Sequence, residues 1–267
     1  MPSPIGLSWL FSAPPRWIFE EPIITPESLV LAGLIVLVAY FIRGISGFGS
    51  GLIAVPLLAH FLPLTFVVPM ILVTDFSASL ALGAHTRKHA RWDEIRPLMP
   101  SGFIGVVAGV TLLVRLPASP LLTVLWLLVL AFGLRSVLNL HGTRTVSRLW
   151  ALPAGFAGGT VSALFGTGGP PYVIYLNHRL HDKGELRATF TGLFTLEGGL
   201  RIVAFLATGL LLQLDVLLAI AGALPLVALG LWLGNRVHVG LSPTQLQRLL
   251  GALLLVSGTS LLWRAWA

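Results

Sequence analysis

Hydrophobic and polar positions along the chain form long apolar runs separated by short charged loops. No Asp, Glu, Lys or Arg occurs in residues 44–74, 97–114, 116–134, 149–178 or 216–235. Each run approaches or exceeds the roughly 18 residues that mark a membrane-crossing helix. No stretch alternates polar and apolar residues as the strands of a membrane β-barrel do. The pattern predicts an all-α polytopic membrane protein built from helices and broken helices.

Glycine and proline divide these runs into about ten helical segments. The predicted segments are 28–43, 47–62, 65–84, 96–115, 120–140, 149–165, 169–178, 188–210, 213–234 and 244–264. Basic residues concentrate in the loops 85–91, 141–148 and 179–187, which this order puts on one side of the membrane. Because cytoplasmic loops carry an excess of Lys and Arg, we expect these loops in the cytoplasm and both termini outside it.

The two halves of the chain repeat a series of features in the same order. Phe48-Gly-Ser-Gly51 returns as Phe165-Gly-Thr-Gly168, and Asp75 corresponds to Glu197. The glycines Gly105, Gly109 and Gly133 return as Gly230, Gly234 and Gly258. Such a series predicts an internal duplication. With five segments in each half the second copy is inverted, an architecture found in many secondary transporters.

The predicted organisation follows from this duplication. It consists of an interfacial tail at 1–27, a first transmembrane repeat at 28–140, a cytoplasmic linker at 141–148 and a second repeat at 149–267. The tail is not predicted to be a signal peptide, because no basic region followed by a small-residue cleavage site occurs in it.

Each predicted repeat contains a glycine-rich helix break at the matching position. Paired breaks of this kind are the best sequence indicator of a transporter's binding site. A helix that restarts after a break presents free N–H groups, which with nearby hydroxyls can bind an anion. The candidate substrate-binding residues are Ser46, Gly47, Phe48, Gly49, Ser50, Gly51, Phe165, Gly166, Thr167, Gly168, Gly169 and Pro170. The alternative is that glycines serve close helix packing, which we favour for Gly105, Gly109, Gly230 and Gly234.

Three charged residues are predicted at membrane depth, where ionisable groups are costly and are candidates for function. Asp75 lies on the third segment, and Glu197 and Arg201 lie one helical turn apart on the eighth. Asp75 could pair with Arg43, with Arg201 or with a proton. Glu197 and Arg201 could form a structural ion pair with each other. The sequence explains Arg43 equally well as a residue that extends to the cytoplasmic surface.

The composition excludes several functions. The chain is 55% hydrophobic and 10% charged, whereas soluble domains carry about a quarter charged residues. The formal net charge of +7 comes from basic residues scattered over short loops, without the continuous stripe that binds nucleic acid. The absence of cysteine excludes thiolate ligands, and no histidine pair has the third ligand that zinc needs. We therefore expect no metal and no cofactor.

Two other functions remain as alternatives. Gly44-Ile-Ser46-Gly47 matches the GxSG motif of rhomboid-type intramembrane proteases, in which Ser46 would be the nucleophile and His178 the base. The second break has no GxSG counterpart, so the motif explains only one of the two breaks. An anion channel is the other alternative, since broken helices also form selectivity filters. The inverted duplication favours a carrier that is not an enzyme.

The sequence resembles the TauE/SafE family of sulfite-exporter-like permeases at residues 47–56, at Asp75, at residues 87–89 and at residues 158–171. The last block, GGTVSALFGTGGPP, matches best. The resemblance covers about residues 30–265 and implies a transporter of small sulfur-containing or carboxylate anions in the bacterial inner membrane. It also implies about eight spanning helices, so that two of the ten segments would be re-entrant.

The residue patterns and the resemblance lead to one hypothesis. An anion such as sulfite or an organosulfonate binds between residues 46–51 and 167–171 near the membrane midplane and is exported. Asp75 and Glu197 shape the field or carry a proton, because a charged carboxylate repels an anion and a protonated one tolerates it. Whether Arg201 contacts substrate or only Glu197 stays open. Glycine-faced helices permit a homodimer without requiring one.

Overall fold

The computed structural model describes residues 26–47, 49–86, 89–138, 146–167, 169–236 and 251. All regular structure in these ranges is helical. The α-helices are α1 (Pro26–Ser46), α2 (Ser50–Leu58), α3 (Leu64–Thr86), α4 (Trp92–Arg115), α5 (Ala118–Val137), α6 (Ala151–Phe165), α7 (Pro170–Arg179), α8 (Lys183–Ala207) and α9 (Leu214–Arg236). They correspond to the first nine predicted segments. The tenth segment and most of the N-terminal tail lie outside the described residues, apart from the helical Gly251 at one end and the start of α1 at the other.

Two helices begin earlier than the hydrophobic pattern predicted, α4 at Trp92 and α8 at Lys183. The start of α8 has a local cause, because the Asp182 carboxylate accepts a hydrogen bond of 2.8 Å from the Glu185 backbone N–H. An acidic cap followed three residues later by Glu is a recognised helix-start signal. The prediction assigned these charged residues to a loop and was wrong by one helical turn.

Six helices of the described chain are long and apolar enough to cross a membrane. These candidate spans are Glu27–Ser46, Leu64–Ala81, Trp92–Arg115, Ala118–Val137, Gly184–Ala207 and Leu214–Arg236. Many large apolar side chains on them are exposed, among them Leu34, Ile104 and Val203. In a membrane protein such side chains face lipid. The chain is therefore a polytopic α-helical membrane protein.

The most extensive helix packing pairs α4 with α6, and the contact is lined by glycine. A Cβ added at Gly105 would overlap the Phe156 carbonyl oxygen, and one at Gly109 would lie 2.8 Å from the Ala163 Cβ. Helices α1 and α9 also pack closely through glycine, because a Cβ at Gly230 would lie 2.8 Å from the Leu37 carbonyl oxygen. Small residues allow the backbones of membrane helices to approach closely.

At Gly234, the fourth of the repeated glycines assigned to packing, an added Cβ would overlap the Phe41 carbonyl oxygen. The packing interpretation of Gly105, Gly109, Gly230 and Gly234 is therefore confirmed. Packed against these two pairs are α3 and α8, which also contact each other extensively. Asp75 on α3 and Glu197 on α8 are thereby brought to the interior of the molecule.

Helices α2 and α7 are too short to cross a membrane. At about 1.5 Å per residue, their nine and ten residues extend only about 15 Å, roughly half the thickness of the hydrocarbon core. The far end of α7 is fixed by a buried carboxylate, because Glu94 of α4 accepts hydrogen bonds from Arg179 (2.6 Å) and Tyr175 (2.9 Å). These bonds join the end of α7 to the start of α4.

Candidate functional site

The break between α1 and α2 lies directly against the break between α6 and α7. A Cβ added at Gly51 would overlap the carbonyl oxygen of Gly166 and lie 3.1 Å from the Cα of Thr167. The backbones of the two breaks are thus in contact, with no side chain between them. A residue larger than glycine at position 51 would force the breaks apart.

Glycine also sets the direction in which each short helix starts. Gly49 precedes α2 with φ 95°, and Gly169 precedes α7 with φ 57°. Both values lie in the left-handed region, which side-chain-bearing residues rarely adopt. Glycine therefore has a conformational role at these two positions, of which Gly49 belongs to the repeated FG(S/T)G motif and Gly169 directly follows its second copy.

The two short helices differ in the donors that they offer an anion. The first two residues of α7 are Pro170 and Pro171, which have no N–H, and the next two amides, of Tyr172 and Val173, bond to the Gly169 carbonyl at 2.8 and 3.4 Å. The first turn of α7 therefore presents no free N–H, contrary to the prediction of an amide cradle there. The first turn of α2 contains no proline before Pro56 and keeps its N–H groups.

A first cluster, the Arg43 cluster, consists of Arg43, Ser50, Asp75, Ser79 and Tyr40. The Arg43 Nη1 donates to Ser50 Oγ at 2.8 Å and pairs with Asp75 Oδ1 at 2.7 Å. Its Nη2 donates to Ser79 Oγ at 2.7 Å. Asp75 Oδ1 also accepts from Ser50 and from the Tyr40 hydroxyl, both at 2.6 Å. This cluster ties α1, α2 and α3 together with nearly all its polar atoms paired.

The Arg43 cluster shows which partner Asp75 has and corrects the interpretation of Arg43 as a residue that extends to the membrane surface. Asp75 pairs with Arg43, the first of the three partners considered for it. Arg43 is 3% exposed and does not extend to the membrane surface. Its guanidinium is held in the interior because α2 and α3 together supply a carboxylate and two hydroxyls to it.

A second cluster, the Arg201 cluster, consists of Arg201, Glu197, Ser162 and Thr167. The Ser162 hydroxyl accepts from Arg201 Nη1 at 3.0 Å and donates to Glu197 Oε2 at 3.0 Å. The hydroxyl thus stands between the two charged groups, and no direct ion pair within 4 Å joins Arg201 to Glu197 among those the described residues form. In place of the direct ion pair considered as one alternative, a serine of α6 bridges the two residues.

Several polar atoms of the Arg201 cluster have no partner. Arg201 Nε and Nη2, Glu197 Oε1 and Thr167 Oγ1 are buried and make no hydrogen bond. Arg201 is 4% exposed and Glu197 2% exposed, so bulk water does not reach these atoms. Buried polar groups in folded proteins are almost always paired. The concentration of unpaired atoms on one cluster therefore indicates a place where something else binds.

Both clusters open into one cleft between the breaks, α3 and α8. The cleft is narrow, and its empty space of about 360 Å³ includes open solvent at its mouth. The cleft is lined by Arg43, Gly49, Gly51, Leu72, Asp75, Phe76, Ser79, Thr167, Phe194, Glu197, Gly198 and Arg201. Of the predicted site residues, Gly49, Gly51, Thr167, Asp75, Glu197 and Arg201 are brought together here.

Other predicted site residues support the breaks instead of facing the cleft. The Ser46 hydroxyl donates to the Ile42 carbonyl of its own helix at 2.9 Å, and Ser50 is occupied by the Arg43 cluster. Gly47 has φ 83° and lies against the side chain of Arg187. The remaining positions are Phe165, fully buried in the core, Gly166, which contacts Gly51, and Gly169 and Pro170, which pack near Tyr172. Phe48 and Gly168 lie outside the described residues.

Sequence reasoning missed Ser162, Ser79 and Tyr40. Ser162 lies in the glycine-rich block before the second break, but nothing in the sequence connects it to Glu197, 35 positions away. Ser79 lies one turn after Asp75 on α3, and that spacing was the one available signal for it. No group of three or more His, Cys, Asp or Glu suited to a metal occurs in the described part of the chain.

Comparison with known proteins identifies the family of the chain. The family model described as "Sulfite exporter TauE/SafE" matches residues 32–261, most of the chain. The chain belongs to the TauE/SafE family. A TauE/SafE relative from Comamonas testosteroni, described as "Probable inner membrane transporter protein TsaS", is 27% identical over 200 residues, which are 74% of this chain and 83% of the relative. No solved structure matches the chain.

Membership of the TauE/SafE family weighs against the protease alternative. The family is one of membrane exporters, and the two residues that a rhomboid-type mechanism requires are engaged with their own helices. Ser46 donates to a carbonyl of α1, and His178 Nδ1 lies 2.8 Å from the Ile174 carbonyl oxygen of α7. Transport across a membrane is the activity that both the family and the cleft suggest.

Proposed function

We propose that this protein is a secondary transporter of a small sulfur-containing anion, such as sulfite or an organosulfonate, in the bacterial inner membrane. The anion binds in the cleft between the two helix breaks near the membrane midplane, and export is the proposed direction. The observation that carries the proposal is the unpaired guanidinium edge of Arg201 beside this cleft. The family, that of a sulfite exporter, supports the substrate class, and the Comamonas relative, a probable inner membrane transporter, supports the membrane.

An inverted duplication is part of the proposal, and the helix contacts support it. If α1 to α4 correspond to α6 to α9 in order, then α1 with α9 and α6 with α4 are equivalent pairs. Both pairs are lined by glycine, and α3 with α8 would lie on the axis between them. The breaks before α2 and α7 would then be re-entrant counterparts. Under this arrangement the loop at 179–187 is cytoplasmic, as the positive-inside rule expects.

Proton coupling is proposed to act through Glu197 and not through Asp75. The Asp75 carboxylate accepts hydrogen bonds from the Tyr40 and Ser50 hydroxyls and pairs with Arg43. Glu197 receives one hydrogen bond and keeps Oε1 unpaired beside the cleft. Repulsion between this carboxylate and an incoming anion is relieved by a proton shared between them, whether the proton arrives on the carboxyl or on the anion. Binding of the anion and binding of a proton would then be favourable together.

The test is transport by the purified full-length chain in liposomes. Sulfite, thiosulfate, sulfoacetate, sulfate, acetate and chloride are offered to the wild type, to Arg201→Met and to Arg96→Met, which removes an exposed arginine of α4 as a matched control. We expect saturable uptake of a sulfur oxyanion that Arg201→Met abolishes and Arg96→Met preserves. Fast, non-saturating chloride flux that is unaffected by Arg201→Met would indicate a channel and contradict the proposal.

A further inference from the structure

The unpaired atoms in the cleft specify more about the ligand than its charge. Within the described residues, seven buried side-chain polar atoms lack a hydrogen bond, and four of them belong to Thr167, Glu197 and Arg201. All three residues line the same cleft. A ligand that completes this cleft must match the chemical type of each unpaired atom, because leaving one unpaired costs binding energy.

The guanidinium of Arg201 offers a paired set of donors. Its Nη1 is used by Ser162, whereas Nε and Nη2 are both free. These two nitrogens form one edge of the planar guanidinium, whose parallel N–H groups suit two oxygens of one anionic group. This edge therefore specifies an oxyanion with at least two acceptor oxygens on one atom.

Glu197, in contrast, requires a hydrogen-bond donor from the ligand. Its Oε2 accepts from Ser162, which has no second hydrogen to give, and its Oε1 has no donor. A ligand that presents only acceptor oxygens leaves Oε1 unpaired and adds repulsion to it. A ligand that carries an N–H or O–H beside its charged oxygens pairs with both Arg201 and Glu197. Thr167 fits either kind of ligand, since a hydroxyl both donates and accepts.

The charge of the cleft favours a single negative charge on the ligand. Its ionisable lining residues are Arg43, Asp75, Glu197 and Arg201, two of each sign, so the formal charge of the empty cleft is zero. A bound monoanion leaves one uncompensated negative charge away from water, and a dianion leaves two. The penalty for buried uncompensated charge is steep, so a dianion is strongly disfavoured.

We propose that the cleft selects a singly charged oxyanion carrying a hydrogen-bond donor next to its charged oxygens, with Arg201 binding the oxygens and Glu197 accepting from the donor. Hydrogensulfite and sulfonates with an adjacent hydroxyl or amine belong to this class, whereas sulfate does not. This proposal rests on the proposed function, whose binding site it uses.

Two simple anions allow the effect of the ligand's hydrogen-bond donor to be measured while charge, shape and size stay nearly constant. Sulfamate and methanesulfonate are tetrahedral monoanions of similar size, but only sulfamate carries N–H groups. Their affinities, together with those of sulfate and sulfite, are measured by calorimetry on the purified full-length protein in detergent. We expect sulfamate to bind about tenfold or more tightly than methanesulfonate, as one hydrogen bond to a charged group would give. Sulfate should bind more weakly than either.

The variant Glu197→Gln tests whether Glu197 is the residue that accepts the hydrogen bond from the ligand's donor. The neutral amide can turn its N–H₂ towards the ligand, so methanesulfonate affinity should rise and the preference for sulfamate should fall to within about threefold. Its elution profile and thermal midpoint are compared with those of the wild type, and if it does not fold, the wild-type ratio alone decides. Equal binding of the two anions by the wild type, or an unchanged preference in a folded Glu197→Gln, would overturn the proposal.

The same measurements separate this inference from the proposed function. If sulfite, sulfamate and methanesulfonate bind equally well and Arg201→Met abolishes all three, the anion site stands and the donor requirement is overturned. If none of the anions binds to the wild type, the site and the inference both fail, and the unpaired atoms are satisfied by water.

Discussion

The Arg43 cluster and the Arg201 cluster contain similar groups but differ in how completely these are paired. Each has a buried arginine, a carboxylate on a central helix and a serine hydroxyl that contacts both. In the Arg43 cluster the arginine contacts its carboxylate at 2.7 Å, and only Nε of its guanidinium is without a partner. In the Arg201 cluster the serine separates the charges, and the arginine keeps two nitrogens unpaired.

This difference separates two uses of buried charge. A buried charge with complete hydrogen bonding holds elements together, and the Arg43 cluster joins the first break to α3 in this way. A buried charge with unpaired donors costs stability, which a protein recovers only when a ligand completes the set. Burial alone would have ranked the two arginines as equivalent, since they are 3% and 4% exposed.

The largest expected effect is on the stability of the Arg43 cluster. Arg43→Met would leave Asp75 buried without its cation, and breaking a buried ion pair costs about 3–5 kcal/mol. We expect a lower free energy of unfolding in detergent, with partial recovery in the double variant Arg43→Met/Asp75→Leu. An unchanged unfolding midpoint in Arg43→Met would show that this cluster does not stabilise the fold.

Arg201→Met should weaken anion binding strongly and lower the stability of the fold only slightly. Loss of two hydrogen bonds to a charged group predicts about a hundredfold weaker anion binding. The free energy of unfolding should fall by no more than about 1 kcal/mol, because the unpaired donors are removed together with the charge. The measurements are calorimetric titration with sulfite and thermal unfolding of the same preparation. A large loss of stability without loss of binding would mean that Arg201 is structural, like Arg43.

The two carboxylates should differ in the pH dependence of transport. If Glu197 carries a proton, Glu197→Gln flattens the dependence of sulfite flux on external pH, which in the wild type is about tenfold per pH unit for a one-proton step. Asp75→Asn should keep that dependence, because Asp75 is held by Arg43. Flux in liposomes at a fixed sulfite concentration measures both. Retention of the dependence in both variants would exclude proton coupling through either residue.

The smallest expected effect is at Thr167. Thr167→Val removes a hydroxyl and preserves the shape of the side chain, so sulfite affinity should fall about fivefold, as one neutral hydrogen bond would give. The matched control is Thr195→Val, since the Thr195 hydroxyl donates to the Thr191 carbonyl of its own helix at 2.7 Å. Equal effects of the two variants on binding would argue that Thr167 does not contact the ligand.

Much of this molecule could be predicted from its sequence because lipid imposes a simple pattern. Charge-free runs and glycine or proline breaks located nine helices, and the matched breaks indicated Gly51 and Thr167 as neighbours of one site. The helix starts that contain charged residues were harder to predict. At α8, the N-cap Asp182 starts the helix although the residues that follow it have low hydropathy. The family resemblance and the residue patterns agreed on Asp75, whereas Glu197 and Arg201 were indicated by the residue patterns alone.

The pairing inside the site could not be predicted, because it depends on side chains from different helices. Ser162 of α6 meets two charges on α8, and Ser50 and Ser79 meet Arg43 from two other helices. Small hydroxyl residues are frequent in membrane helices, so no spacing rule distinguishes these three. The amides of α7 were misjudged for a different reason, since two prolines remove donors that a helix start usually provides.

The glycine-lined pairs have a mechanical consequence. Backbones that touch through glycine leave no side chains between them to rearrange. We therefore expect α1 with α9, and α4 with α6, each to resist separation and to move together. The axis between these pairs is formed by α3 and α8, which carry Asp75, Glu197 and Arg201. A small rocking of one pair against the other about this axis would expose the cleft alternately to the two faces of the membrane. The ligand would stay in place while its route to water changed.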